Sequence, residues 1–113
     1  MTVDPVQVRS RKIGLSWTIA SFLEASDPYG FRDELHTGET VQEGIARVSE
    51  ETLGYLESGD YDVIVGALEG ALEDGMTDDL ETECQSILRE LKEIRILDSK
   101  LISKNVSRIK RRR

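Results

Sequence analysis

Few side chains in this chain could do covalent chemistry. His36 is the only histidine and Cys84 the only cysteine among the 113 residues. One of each, far apart in sequence, cannot make a zinc ligand set, and no HExxH, Walker-type or GxGxxG pattern occurs. Asp33, Glu34 and His36 sit together and could form an acid/base group, but polar residues in a turn-rich connection are ordinarily just solvated. The carboxylates of Asp60, Asp62 and of Asp74 to Asp79 do not follow the oxygen-ligand spacing of a calcium loop closed by a glutamate at its twelfth position. These residues point to no metal, no cofactor and no enzyme.

What the sequence offers instead is charge. Fifteen basic and 22 acidic residues give a net −7, unevenly spread. Residues 1–12 hold Arg9, Arg11 and Lys12 against Asp4, whereas residues 13–99 hold five basic and 21 acidic side chains, a net of −16. Residues 100–113 hold seven basic side chains and no acid. An acidic body repels phosphates and attracts basic protein surfaces, while a basic tail does the reverse at short range.

Two candidate binding regions follow. On the body, Glu69 and Glu73 fall one helical turn apart, with Asp74, Asp78 and Asp79 close behind. They read either as a solvated helix face or as a stripe that docks a basic partner. In the tail, Lys104, Arg108, Lys110, Arg111, Arg112 and Arg113 have three readings. They could complement the negative end of a helix dipole and lie against the acidic body, contact nucleic acid, or dock a protein. No aromatic residues interleave with them for base stacking.

The elements that must position these groups are helices. Asp4-Pro5-Val6-Gln7 is a helix start, and the spacing predicts a first helix over about residues 5–25. Ile13, Leu15, Trp17 and Ile19 also alternate as a strand would, but no second alternating segment exists to pair with them. Ser26 to Gly30 is dense in turn formers, with one loose helical turn expected around Phe31 and Leu35. Thr40-Val41-Gln42-Glu43 forms a capping box, and Val41, Ile45, Val48, Thr52, Tyr55 and Leu56 mark the helix it opens, with Gly59 as its left-handed stop. A third helix is predicted over about residues 60–74. Its paired Gly66-Ala67-Leu68-Glu69 and Gly70-Ala71-Leu72-Glu73 put two glycines one turn apart, expected to lie against a neighbouring helix of the same chain, with close contact to a partner as the alternative. A further helix begins at Asp78 or Asp79 with Leu80, Cys84, Ile87, Leu88, Leu91 and Ile94 on one stripe, Cys84 being a small core residue. The apolar spacing continues through Leu97, Leu101, Ile102, Val106 and Ile109. It forms either one long helix or, as expected here, a short last helix after a bend near Asp98-Ser99.

The fold class is therefore all-α, a single small helical bundle or helical-hairpin array of four to five helices. It divides into an acidic helical domain (1–99) and a basic C-terminal helix or tail (100–113). A hydrophobic fraction of 38% against 33% charged residues allows only a thin core. The apolar run from Ile13 to Leu23 is broken by Ser16, Thr18 and Ser21, so no membrane span is expected, and a lone cysteine suits the cytoplasm. The expected function is that of a small acidic protein-binding module of the inhibitor, antitoxin, immunity or adaptor type. The alternative is a nucleic-acid-associated accessory protein acting through the tail. A homodimer could form through the Gly66/Gly70 face or the apolar stretch past Leu97.

Overall fold

The computed structural model describes residues 3–111, with side chains described through Leu101. Asp4 is extended, and its carboxylate accepts from the Val6 N–H at 2.9 Å. With Pro5 supplying a preset φ, helix α1 (Pro5–Ser26) begins where the sequence places it. The apparent alternation resolves by helical spacing: Leu15 and Ile19 are buried, while Ile13 and Trp17 share the opposite, half-exposed side.

The turn-rich connection is more ordered than one loose turn. Asp27 ends α1 by donating its N–H to the Leu23 carbonyl, and its side chain accepts from the Gly30 N–H at 3.0 Å. That cap and Pro28 open a six-residue helix, α2 (Pro28–Asp33), which buries Phe31. In α3 (Val41–Glu57) the Thr40 hydroxyl accepts from the Glu43 N–H at 3.1 Å, and the Glu43 carboxylate returns to that hydroxyl rather than to the Thr40 amide. The other end closes with two bonds, Gly59 N–H to the Leu56 carbonyl and Asp60 N–H to the Tyr55 carbonyl, across Gly59 at φ 80°. This is the paired left-handed stop that only glycine adopts at low cost.

Helix α4 (Tyr61–Asp74) ends at Gly75, φ 92°, and α5 (Asp78–Arg111) follows as one uninterrupted 34-residue helix. The bend near Asp98-Ser99 and the separate last helix do not occur. An aspartate breaks a helix by offering its carboxylate to local backbone, and here the Asp98 carboxylate is engaged elsewhere. Lys104, Arg108, Lys110 and Arg111 lie along the α5 backbone, but their side chains lie outside the described residues, as do Arg112 and Arg113 entirely.

The long helices run up, down, up and down, with principal contacts α1 to α3, α3 to α4, α4 to α5 and α5 back to α1. Cross-links fix the antiparallel senses: Arg9 reaches Glu57 of α3, Arg11 reaches Glu93 of α5, and Asp62 of α4 reaches Arg95 of α5. These exposed pairs set register more than stability. The main core joins Leu15, Ile19 and Phe22 of α1 with Leu56, Ile64, Leu68, Leu91 and Ile94. A second cluster of Ala20, Phe31 and Ile45 seats α2 on α1 and α3. Cys84 is fully buried, its thiol pushed up in pKa by burial, as a small core residue should be.

One charged group lies inside this core. Lys12 of α1, 7% exposed, meets the Asp98 carboxylate of α5 at 2.8 Å, and the same oxygen accepts the Tyr61 hydroxyl of α4 at 2.5 Å. Three helices thus converge on one carboxylate oxygen. Asp98→Ala leaves the Lys12 ammonium buried without its counter-charge, and should lower the unfolding free energy by about 3–5 kcal/mol in urea titrations. Replacing both, Lys12→Met with Asp98→Leu, should recover most of that loss, and a single variant costing under about 1 kcal/mol would contradict the assignment.

Burial, then the Asp98 hydrogen bond and its negative charge, raise the Tyr61 pKa, against a smaller opposing effect of Arg95. Above about pH 10 the unfolded phenol ionises while the folded one keeps its proton, so Tyr61 adds stability below that pH and loses it above. Ultraviolet titration should show a late phenolate transition, coincident with unfolding, that Tyr61→Phe abolishes.

Candidate functional site

A groove of about 610 Å³ lies between α4 on one side and the α1 end and α2 on the other. Its origin is the size of side chains. The α3–α4 hairpin is pinned at Gly59, and farther along α4 the residues facing the groove are Gly66, Ala67, Gly70 and Ala71. From Gly66 to Ala71, no side chain that α4 turns to the groove is longer than a methyl group. Leu23, Phe31, Val48 and Met76 supply the apolar lining, and Asp27, Glu34 and Asp74 bring three carboxylates to it with no cation among the lining residues.

This overturns the expected packing of the two glycines against a helix of the same chain. A Cβ built at Gly66 or Gly70 meets no atom within 4 Å, so neither lets a neighbouring helix approach. The glycine that packing does require is Gly44, where a Cβ would overlap Leu35 Cδ2 and lie 3.2 Å from Phe31 Cε1. Sequence reading missed Gly44 because it stands alone, whereas Gly66 and Gly70 form a visible repeat.

The five acids singled out on the body do not make one stripe. Glu69, Glu73, Asp74, Asp78 and Asp79 are all exposed. Asp74 lines the large groove. Glu69 lines a smaller one of about 250 Å³ beside Lys92 and Arg95, next to Tyr61. Asp79 lines a third groove between α1 and α5, of about 300 Å³, together with Glu83 and Glu90. The Gly75–Thr77 turn gathers Glu73, Asp74, Asp78 and Asp79 at one end of the bundle. Asp78 and Asp79 also occupy the first turn of α5, where the helix dipole favours negative charge.

Asp33 ends α2 while Glu34 and His36 lie in the exposed stretch after it, and no hydrogen bond joins the three side chains among the described residues. The ordered polar feature there is Arg47. Its guanidinium grips Glu39 through both carboxylate oxygens, at 3.1 to 3.3 Å, and reaches the Glu34 carbonyl and Glu51. That hydrogen bonding holds the Glu39 carboxyl below its usual range and ties the loop to α3. Among the described residues no cluster of three or more His, Cys, Asp or Glu side chains is placed to hold a metal ion. No described helix is long and apolar enough to cross a membrane.

Because helix interiors disfavour glycine and the space beyond both positions is open, Gly66→Ala and Gly70→Ala should each stabilise the chain by about 0.5–1 kcal/mol. Gly44→Ala should destabilise it by displacing Leu35, and urea midpoints separate the cases. Destabilisation by both groove substitutions would show that this face is packed and not open.

Compared with models of protein families, with curated proteins and with solved structures, the chain matches none.

Proposed function

We propose that this chain is a small protein-binding module of the inhibitor, antitoxin, immunity or adaptor kind, not an enzyme. It docks a basic surface of another protein through the carboxylates at the α4–α5 end. The observation that carries this reading is the gathering of Glu73, Asp74, Asp78 and Asp79 around one turn, all exposed and without an ion pair among the described residues. Elsewhere on the surface Arg9, Arg11, Arg47 and Arg95 each have a carboxylate partner. Dipole complementarity accounts for Asp78 and Asp79, worth about 0.3–1 kcal/mol each, but gives no reason for acids at the negative end of α4. Glu73 and Asp74 lie there at a cost, as a docking surface would require.

A second reading, nucleic-acid association through the tail, draws on the unbroken backbone of α5. On it Lys100, Lys104, Arg108 and Arg111 fall at i, i+4, i+8 and i+11, a row of cations able to neutralise several phosphates. The acidic body opposes it. The lone buried Cys84 fits a reducing compartment, and we place the protein in the cytoplasm.

The test is co-purification of the tagged chain from a lysate of its source at low salt, with and without nuclease, alongside an Asp74→Lys/Asp78→Lys/Asp79→Lys variant. A discrete basic protein that is released as salt rises and is missing from the variant supports the reading. Recovery that depends on nucleic acid and ignores the charge reversal sinks it in favour of the tail.

A further inference from the structure

The chain carries, at opposite ends, two surfaces that complement each other. One is the groove beside α4, with its methyl-sized floor and three carboxylates. The other is the basic end of α5. On a helical backbone Ile102, Val106 and Ile109 recur at i, i+4 and i+7, and Lys100, Lys104, Arg108 and Arg111 fall on roughly the opposite side, an amphipathic cationic segment. We propose that this segment of one copy docks in the groove of a second copy, so that the protein associates head to tail.

Geometry rules out the intramolecular version. Asp74, Gly75 and Met76 line the groove just before α5 starts at Asp78, and the basic segment lies at the far end of the same helix. At 1.5 Å per residue the helix holds them roughly 33 Å apart at Lys100 and roughly 50 Å apart at Arg111. The longest dimension of the molecule, 55 Å, agrees. A rigid helix cannot fold its own tail back into the groove, so the attraction between the acidic body and the basic end is satisfied between molecules. The glycines then have a role. With no side chain at Gly66 or Gly70, an incoming helix approaches α4 more closely than alanine or larger residues permit, which accounts for two helix-weakening residues that no intrachain contact requires. Acidic lining against basic segment sets the direction of insertion, and the contact joins unlike surfaces, so it extends instead of closing a pair.

The inference rests on the proposed reading that the carboxylate-edged end is a docking surface, and it makes the basic partner a second copy. Sedimentation equilibrium of the full chain at low salt should give a weight-average mass that climbs with concentration and returns to monomer at about 1 M salt. Gly70→Leu fills the groove at a position where a Cβ is unobstructed, and Lys104→Glu/Arg108→Glu reverses the tail. Each should weaken association at least roughly tenfold, about 1.4 kcal/mol. Mixed in equal amounts, the two variants should form a one-to-one dimer and nothing larger, because only one intact tail faces one intact groove. Asp74→Lys, on an exposed edge, serves as the groove variant if Gly70→Leu misfolds. A wild-type chain that stays monomeric at low salt, or a mixture that stays monomeric, overturns head-to-tail docking. Either result leaves a foreign basic partner, read by co-purification, standing. Association that persists in both variants places the interface elsewhere and also overturns it.

Discussion

The ion pair between Lys12 and Asp98, closed by the Tyr61 hydroxyl, is the constraint on which the rest of the molecule depends. Among the described residues it is the one place where α1, α4 and α5 share a single acceptor, and it sits in a core too thin to hold an unpaired charge. Two consequences follow from it. The register of α1 against α5 is fixed at Lys12, since sliding either helix by one residue would strand a buried ammonium. The Asp98 carboxylate, committed to its partners, does not compete for the backbone, so α5 continues straight through the position where its composition suggests a break. The rigid arm carrying the basic residues away from the acidic body is therefore an outcome of core electrostatics.

The opposite end of the bundle is built on an absence of bulk. Lys12, Tyr61 and Asp98 close one part of the core, whereas along the flank of α4 that lines the groove stand Gly66, Ala67, Gly70, Ala71 and Asp74, and α2 packs on α1 and α3. A sequence tuned only for stability would place alanine or leucine there, gaining helix propensity and burial together. The groove thus trades stability for an accessible apolar floor, in a molecule whose low apolar content leaves little to spare. That trade, with carboxylates left unpaired at the same end, is the physical content of the binding reading.

Much of the fold was legible because it is written locally. Asp4-Pro5, the Thr40 to Glu43 box and Gly59 each act within one turn, and the structure keeps all three, with only the return leg of the box redirected to the Thr40 hydroxyl. Ile13 and Trp17 could be separated from Leu15 and Ile19 only once partners were known, since the run is apolar on every side. The Lys12, Tyr61 and Asp98 network was not legible: each residue reads locally as something else, a basic N-terminal residue, a tyrosine among acids, and a helix breaker. Spacing alone put Glu69, Glu73 and Asp74 together, but consecutive helical residues point about 100° apart, so Glu73 and Asp74 diverge and Glu69 faces Lys92 and Arg95. The repeat of Gly66 and Gly70 drew attention to the right helix, but not to its openness, as packing within the chain and open space leave the same trace in a sequence.

The head-to-tail proposal, that the α4 groove takes the basic end of a second copy, is tested most directly by amide nuclear magnetic resonance of the full chain as it is concentrated at low salt. Glycine amides resolve well, and this chain distributes them usefully: Gly30, Gly66, Gly70 and Gly75 line the groove, while Gly14 and Gly54 line no part of it. The account predicts that the first four shift together with rising concentration, reverse with salt, and leave Gly14 and Gly54 unmoved. Shifts confined to Gly14 or Gly54, or none at the groove, would contradict it.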